Sequence, residues 1–157
     1  IPSRSIESEN LLRKGGNGIE FFTTQVLYDS TKINKMLKYY NNICKQNDVF
    51  PRRILLSFAP VSSYKNIEFL KWLGVEISSH TEKRLLDEDS DMTEKSLEIA
   101  REILNKILSN NEKNNIKVPI GLNVEHIMSY NFQHSINMLQ ELSKIYRKFC
   151  IKTSLYD

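Results

Sequence analysis

Apolar and polar positions alternate along the chain in two distinct patterns, and the shorter pattern predicts strands. Residues 19–25 are rich in β-branched and aromatic side chains, residues 53–59 form an almost continuous apolar run, and residues 118–124 form a third apolar segment. Their length and composition are typical of β-strands. A continuous apolar run suits a strand that is covered on both faces, as in parallel sheets. We therefore predict three buried strands.

The longer pattern, with apolar residues recurring three and four positions apart, predicts helices between and around the strands. These helices are expected at residues 5–14, 29–47, 63–74, 92–110 and 131–150. A glycine-rich turn ends the first helix, Asp29 or Ser30 can cap the second, and the third lies between Ser63 and Gly74. Residues 75–77 are expected to be extended, residues 87–91 to form an acidic loop, and residues 110–117 a polar surface connection.

The alternation of strands and helices predicts an α/β fold with a parallel sheet built from right-handed βαβ units. A doubly wound sheet and a (βα)8 barrel share this local pattern. Three strands cannot close a barrel, which needs eight, and either fold would leave an unprotected strand edge. The chain also begins with Ile1-Pro2 and lacks an initiator methionine. We therefore expect residues 1–157 to be part of a domain whose upstream segment is missing.

Composition and charge exclude several classes of protein. The chain of 157 residues is 40% hydrophobic and 26% charged, with a formal net charge of +3 and basic residues scattered among acidic ones. This distribution lacks the concentrated Lys/Arg surface of a nucleic-acid-binding protein, and no apolar run approaches the length of a membrane span. Cys44 and Cys150 lie far apart without metal-ligand spacing. Two reduced thiols are expected, in the cytoplasm or alternatively in the mitochondrion.

Candidate binding residues follow from the rule that ligands of parallel α/β folds bind at the carboxyl ends of the strands. Gln25 stands at the end of the first predicted strand. Its amide offers a donor and an acceptor side by side, which suits the edge of a carboxamide or a pterin-like ring. The alternative is that Gln25 satisfies backbone groups of the neighbouring loop.

Glu125 and His126 follow the third strand and have the side chains of an acid/base pair. Adjacent residues on a strand point to opposite faces, however, so the two are not expected to act on one atom. The other histidines, His80 and His134, are isolated. The three histidines therefore predict no metal site.

The first predicted helix carries a polar stripe that could hold a dinucleotide. Glu7, Asn10 and Lys14 lie on one side of the helix, with Arg13 beside them. Carboxylate, amide, guanidinium and ammonium groups together can bind hydroxyls and phosphates through charge-assisted hydrogen bonds. The alternative is a solvated face on which opposite charges balance.

Taken in order, these motifs resemble the methylenetetrahydrofolate reductase family. The resemblance is carried by Glu7-x-x-Asn10-x-x-Arg13-Lys14, by Phe22-Thr23-Thr24-Gln25-x-x-x-Asp29, by the segment from Pro60 to Lys65, and by Leu73-Gly74-Val75-x-Ile77. It implies a (βα)8 barrel of which the three strands are the sixth, seventh and eighth, so that residues 1–157 are its C-terminal part. The missing N-terminal part would be a partner of this half.

The resemblance also implies a flavin-dependent oxidoreductase of one-carbon metabolism. Hydride would pass from NAD(P)H through FAD to a folate-like acceptor. Glu7, Asn10, Arg13 and Lys14 would hold the FAD, and Gln25 would contact nicotinamide and folate in turn. The general acid of the family belongs to early strands, so no catalytic residue is expected in this part.

Two departures from the family pattern favour an alternative. Ser78 replaces a usual proline, and Leu85 falls where the family has an aromatic residue that stacks on the substrate. The last strand ends in Asn123-Val124-Glu125-His126, where a His-Phe-Tyr-x-x-Asn-Arg type of run is usual. The alternative is a catalytically silent barrel that acts as a binding or structural subunit of a larger assembly. A homo-oligomer is compatible with either function.

Overall fold

The computed structural model describes residues 4–87 and 91–154, with the side chains of residues 8–87 and 91–152. Within these residues three strands form one parallel sheet in the order β1-β2-β3. The strands are β1 (Phe21–Val26), β2 (Arg53–Phe58) and β3 (Ile120–Val124). The helices are α1 (Arg4–Gly16), α2 (Thr31–Gln46), α3 (Tyr64–Trp72), α4 (Ser79–Leu86), α5 (Met92–Lys113) and α6 (Phe132–Ser154), with a short 3-10 helix at Ser129–Asn131. The predicted α/β class with parallel strands is confirmed.

The helices form a layer against one face of the sheet. Three side chains of β2 are at most 1% exposed, namely Ile54, Leu56 and Phe58. On the opposite face, Arg53 is exposed and Leu55 is half-buried. α1 contacts α2, α2 contacts α5 and α5 contacts α6, as expected when right-handed crossovers carry successive helices to the same side. A doubly wound sheet reverses its strand order and has helices on both faces. Sequential order with one helical layer is instead consistent with a segment of a (βα)8 barrel.

The main core lies between the sheet and this helical layer. Its largest fully buried side chains include Tyr40 and Leu37 of α2 and Leu104 and Ile107 of α5. Cys44 is buried, Cys150 is half-buried, and the two do not form a disulfide with each other. Among the described helices, none is long and apolar enough to cross a membrane.

β1 differs from the prediction of a buried strand. Phe21, Thr23 and Gln25 are exposed, while the alternate residues Phe22 and Thr24 are half-buried and Val26 is buried. β1 is an edge strand in the described part of the chain, so one of its faces meets solvent although its composition is that of a core strand. Composition reports the preference of a strand for burial and cannot report which neighbours are present.

The helices differ from prediction most clearly at α4 and α5, while α1 and α6 continue to Gly16 and Ser154, a few residues past their predicted ends. α4 was not predicted, because its eight residues bury a single side chain, Leu85, and give almost no apolar periodicity. α5 continues past residue 110 to Lys113, and the buried Asn111 belongs to its core side. The helix ends where Asn115 adopts a left-handed conformation with φ of 49°, so asparagine supplies the stop that glycine usually gives. Residues 88–90 of the predicted acidic loop lie outside the described residues.

Candidate functional site

A β-bulge lies at the carboxyl end of β1, where the sequence places Gln25. Thr23 pairs with Leu55 and Val26 pairs with Ser57, so β1 contains one more residue than β2 over this interval. The Thr24 hydroxyl accepts a hydrogen bond from the Ser57 backbone N–H at 2.9 Å in place of regular pairing. An extra residue in one strand changes the direction in which its side chains point, and such bulges are common beside binding sites.

Both ends of the Gln25 amide contact backbone groups. Its Nε2 donates to the Leu73 carbonyl at 3.2 Å, and its Oε1 accepts from the Val26 N–H at 3.1 Å. Leu73 is the C-cap of α3, so its carbonyl has no partner within the helix. The backbone role that the sequence left as an alternative is therefore present in the structure. Each of these two atoms can make a second hydrogen bond, so a ligand can bind the amide alongside the backbone groups or in place of them.

A groove of about 340 Å³ lies beside Gln25. It runs between β1, the first half of α2 and the segment that follows α3, and it has the size of a small-molecule site. Its apolar lining includes Phe22, Ile33 and Met36, and its polar lining includes Thr23, Thr24, Gln25, Asp29, Lys32 and Glu76. Lys32 and Glu76 form an ion pair between α2 and the segment after α3. Gly74, whose φ of +84° favours glycine, ends α3 at the groove and turns the chain toward Glu76.

Polar side chains also lie at the carboxyl ends of β2 and β3, on the face of the sheet opposite the helices. Ser57 pairs with Asn123 in register, and Asn123 Nδ2 donates to the Ser57 Oγ at 3.1 Å and to Glu125 Oε1 at 3.2 Å. The Glu125 N–H donates to the Phe58 carbonyl at 2.8 Å, so the residue extends the β2–β3 pairing. This row of groups supplies an exposed carboxylate at the carboxyl end of the sheet.

A buried amide network joins the loop after β2 to the loop after β3. Asn66 and Asn131 are both 0% exposed, and Asn131 Nδ2 donates to Asn66 Oδ1 at 3.0 Å. The Ser62 hydroxyl lies 2.7 Å from Asn131 Oδ1, and Asn66 Nδ2 donates to the Tyr130 hydroxyl at 2.8 Å. Buried polar groups that satisfy one another fix the relative position of the segments that carry them.

A buried tyrosine holds the loops after β1 and β2 together. The Tyr28 hydroxyl donates to the Ala59 carbonyl at 3.0 Å, and burial raises the pKa of Tyr28 well above its usual value. The hydroxyl therefore stays a neutral donor at physiological pH. The sequence assigned no role to Tyr28, and it did not single out Ser57, Asn66 or Asn131, which connect the strand ends and the loops that follow them. No local pattern marks Asn66 as buried, because its partners Tyr130 and Asn131 lie 64 and 65 residues away in the sequence.

The polar stripe of α1 is only partly assembled. Arg13 Nη2 donates to Asn10 Oδ1 at 3.1 Å, Asn10 is half-buried, and Arg13 and Lys14 are exposed. The side chain of Glu7 lies outside the described residues. Leu11 is the α1 residue that lines the groove beside Gln25, so the described stripe residues are not brought to that groove.

Glu125 and His126 are separated, as the strand geometry predicted. Glu125 contacts Asn123, whereas the His126 ring packs edge-on against Phe132 with centroids 5.6 Å apart. Leu85 is 1% exposed and belongs to the core, so this side chain is not available to a ligand. Among the described residues no group of three or more histidine, cysteine or acidic side chains could hold a metal ion.

Comparison with known proteins adds a family and a structural relative. The family model described as methylenetetrahydrofolate reductase matches residues 2–144. A solved structure of an uncharacterized protein from Clostridium thermocellum, which binds two copies of 5-methyl-5,6,7,8-tetrahydrofolic acid, is similar with a TM-score of 0.75 and 27% identity. The similarity covers 88% of this chain and 48% of that one, so the chain spans about half the length of this relative. No curated protein matches.

Proposed function

The chain belongs to the methylenetetrahydrofolate reductase family, and we therefore propose that it forms the C-terminal βα units of a folate-binding (βα)8 barrel. Three observations support the barrel: the sequential strand order, the single layer of helices, and the partly exposed second face of the sheet. In a barrel this face would line the interior, and residues at the carboxyl ends of the strands would surround the ligand.

The observation that carries the proposal is the placement of Gln25. The bulge in β1 lies beside it, and its side chain is exposed at the carboxyl end of the sheet, where ligands of barrel proteins bind. The Clostridium thermocellum relative binds a reduced folate, and a carboxamide matches the paired donor and acceptor groups of a pteridine ring. Binding would use the second hydrogen bond that each amide atom can make, or would exchange the Leu73 carbonyl for the ligand.

The reaction we propose is hydride transfer from NAD(P)H through FAD to the folate-like ligand. FAD would supply the redox chemistry, since the side chains of this chain cannot carry hydride. Asn10, Arg13 and Lys14 fit the phosphate end of such a cofactor, because two exposed cations lie together and Asn10 orients one of them. Glu7 would join them, and the remainder of the barrel would contribute the surface for the flavin ring and the general acid.

Folate binding is tested by titrating the full-length protein with 5-methyltetrahydrofolate. Gln25→Ala should weaken binding about 10-fold or more, since one or two hydrogen bonds are lost. The control Gln140→Ala removes an exposed glutamine of α6 and should leave the affinity unchanged. Trp72 precedes Leu73 and is the single tryptophan of the chain, so within this chain its fluorescence should report release of the Gln25–Leu73 contact. Equal affinity in both variants would contradict the role of Gln25.

Flavin binding is tested by absorbance after incubation of the full-length protein with FAD and removal of the excess. A visible flavin spectrum is expected, and Arg13→Ala with Lys14→Ala should reduce the bound fraction while the control Lys38→Ala on α2 should not. NAD(P)H oxidation then tests the reaction. A colourless protein that takes up no FAD would refute the redox part of the proposal and leave folate binding standing.

A second function, a catalytically silent barrel that binds folate or assembles with other subunits, is favoured by one specific observation. Both polar atoms of the Gln25 amide contact backbone groups, which gives the side chain a structural role without any ligand. For such a protein, Gln25→Ala would lower the free energy of unfolding, because the carbonyl at the end of α3 loses its partner. It would not change the rate of nicotinamide oxidation. Measuring nicotinamide oxidation in the wild type and in Gln25→Ala separates the two functions.

A further inference from the structure

We propose that the end of the sheet opposite Gln25 binds peripherally to an anionic lipid bilayer, with Phe50 entering the bilayer surface. Phe50 is 97% exposed and its neighbour Val49 is 44% exposed, and we call these two residues the apolar tip. The tip lies in the loop between α2 and β2, at the amino ends of the parallel strands. Covering a large apolar side chain that lies in water is favourable. The proposal does not depend on folate or flavin binding.

The backbone holds the apolar tip outward through contacts on both sides. On the helix side, the Val49 N–H donates to the Cys44 carbonyl at 3.1 Å, as in the usual closure of a helix C-terminus. Asp48 adopts the left-handed conformation that favours glycine, with φ of 52°. On the strand side, the Arg52 N–H donates to the hydroxyl of the buried Tyr40 at 2.9 Å. The exposure of the tip is therefore built into the fold.

Exposed basic side chains surround the apolar tip. Lys45 in the last turn of α2 and Arg52 just before β2 lie on either side of it. Lys113 ends α5, and Lys117 lies in the connection from α5 to β3. The Lys117 N–H donates to Asn41 Oδ1 at 2.9 Å, which brings this connection against the second half of α2. A cation stabilises a helix C-terminus, which accounts for Lys45 and Lys113 but not for Arg52 and Lys117.

Acidic side chains do not balance these four cations. Within the described part of this end of the sheet, Glu20 and Asp48 oppose them, while Glu112 is paired with Lys152. The end of the sheet that carries the apolar tip therefore has an excess of positive charge, which complements anionic head groups.

The shape of the apolar tip favours a bilayer over a protein partner. Two apolar residues at the point of a loop offer too little area for a stable protein interface, which buries about 800 Å² on each partner. In a bilayer, the phenyl ring would enter the boundary between head groups and acyl chains, and the surrounding lysine and arginine side chains would contact lipid phosphates. Peripheral binding of this kind needs no spanning segment.

The experiment sediments the full-length protein with vesicles of equal parts phosphatidylcholine and phosphatidylserine, and with vesicles of phosphatidylcholine alone. Wild type should bind the mixed vesicles at least about 10-fold more tightly, and added salt should weaken this binding. Phe50→Ala should weaken it by about 10-fold, because a large apolar side chain no longer leaves water. The matched control Phe132→Ala removes a phenylalanine that is 56% exposed at the start of α6 and should behave as wild type.

The charges are tested separately. Lys45→Gln with Arg52→Gln should weaken binding to the mixed vesicles by about 10-fold, whereas Lys65→Gln with Lys83→Gln, on exposed positions of α3 and α4, should not. In a Phe50→Trp variant, the fluorescence that is added relative to wild type should shift to shorter wavelength when the mixed vesicles are present.

Three results would overturn the proposal. The first is a wild type that does not bind the mixed vesicles, because the rest of the protein would then cover the apolar tip. The second is equal binding by wild type and Phe50→Ala, or no fluorescence shift in Phe50→Trp, because the ring would then stay outside the bilayer. The third is a lipid-free dimer, seen in analytical ultracentrifugation, that Phe50→Ala dissociates, which would assign the tip to a second copy of the protein.

Discussion

Replacing Asn131 by alanine should destabilise the protein more than any comparable surface substitution, because Asn131 holds the centre of the amide network. The side chain is 0% exposed. Its Nδ2 donates to Asn66 Oδ1 at 3.0 Å and to the Pro60 carbonyl at 3.4 Å, and its Oδ1 lies 2.7 Å from the Ser62 hydroxyl. The substitution removes two good hydrogen bonds and one long one, and it takes this partner from the buried Asn66 side chain and the buried Pro60 carbonyl.

The magnitude follows from these contacts. An ordinary hydrogen bond contributes about 0.5–1.5 kcal/mol net, and a buried polar group left without its partner costs about 1–3 kcal/mol. Asn66 Oδ1 retains the Ser62 N–H at 3.0 Å, so the full penalty is not incurred at every partner. We expect a loss of about 2–4 kcal/mol in the free energy of unfolding.

Urea denaturation of the full-length protein measures this loss as a lower midpoint at constant slope. Asn137→Ala, an exposed position on α6, should change the free energy of unfolding by no more than about 0.5 kcal/mol. The double variant with Asn66→Ala should show coupling of about 0.5–3 kcal/mol, because the two amides contact each other. A loss below about 1 kcal/mol for Asn131→Ala, or strict additivity with Asn66→Ala, would refute the network as a source of stability.

Three further outcomes are expected. Tyr28→Phe should lower the free energy of unfolding by about 1–2 kcal/mol through loss of the buried bond to Ala59, whereas the exposed Tyr39→Phe should not; equal effects in urea denaturation would contradict this. Asp91→Ala should cost about 1 kcal/mol because Asp91 caps α5. Backbone N–H donors lower the pKa of Asp91. The capping contribution to stability is therefore present above a pH of about 4 and is lost as the pH falls through the pKa of the folded state. Unfolding curves that show the same difference between wild type and variant at pH 7 and at pH 2.5 would be inconsistent with this pH dependence. Among the thiols of this chain, Cys150 should react with a thiol reagent well before Cys44. Cys44 is 1% exposed, and burial raises the pKa of its thiol. If mass spectrometry found both cysteines modified at the same time, the core would have to open readily.

The fold class and the order of elements could be predicted from the sequence because both depend on local periodicity. The three apolar runs became the three strands, and α3 lies between Ser63 and Gly74 as expected. Weak periodicity accounts for the missed helix α4, and an asparagine stop in place of glycine accounts for the shortened prediction of α5.

The candidate site could be predicted only as a set of strand ends. Gln25 was selected correctly as a residue at a carboxyl end, but the bulge beside it depends on pairing between β1 and β2. Its contact with Leu73 joins residues far apart in the sequence, and so does the network of Asn66 with Asn131. The assignment of the α1 stripe to a cofactor stays a prediction.

What the sequence by itself determined is the periodicity of burial and the chemical type of each group, since these are properties of short segments and single side chains. What only the tertiary structure decided is which of those groups meet. Glu125 and Asn123 share a face of the sheet because strand geometry alternates side chains, and this was within reach of the sequence. That Asn123 also contacts Ser57, and thereby orients the carboxylate, required the parallel register of β2 and β3. Register is set by packing against the whole helical layer, and no short segment contains that information.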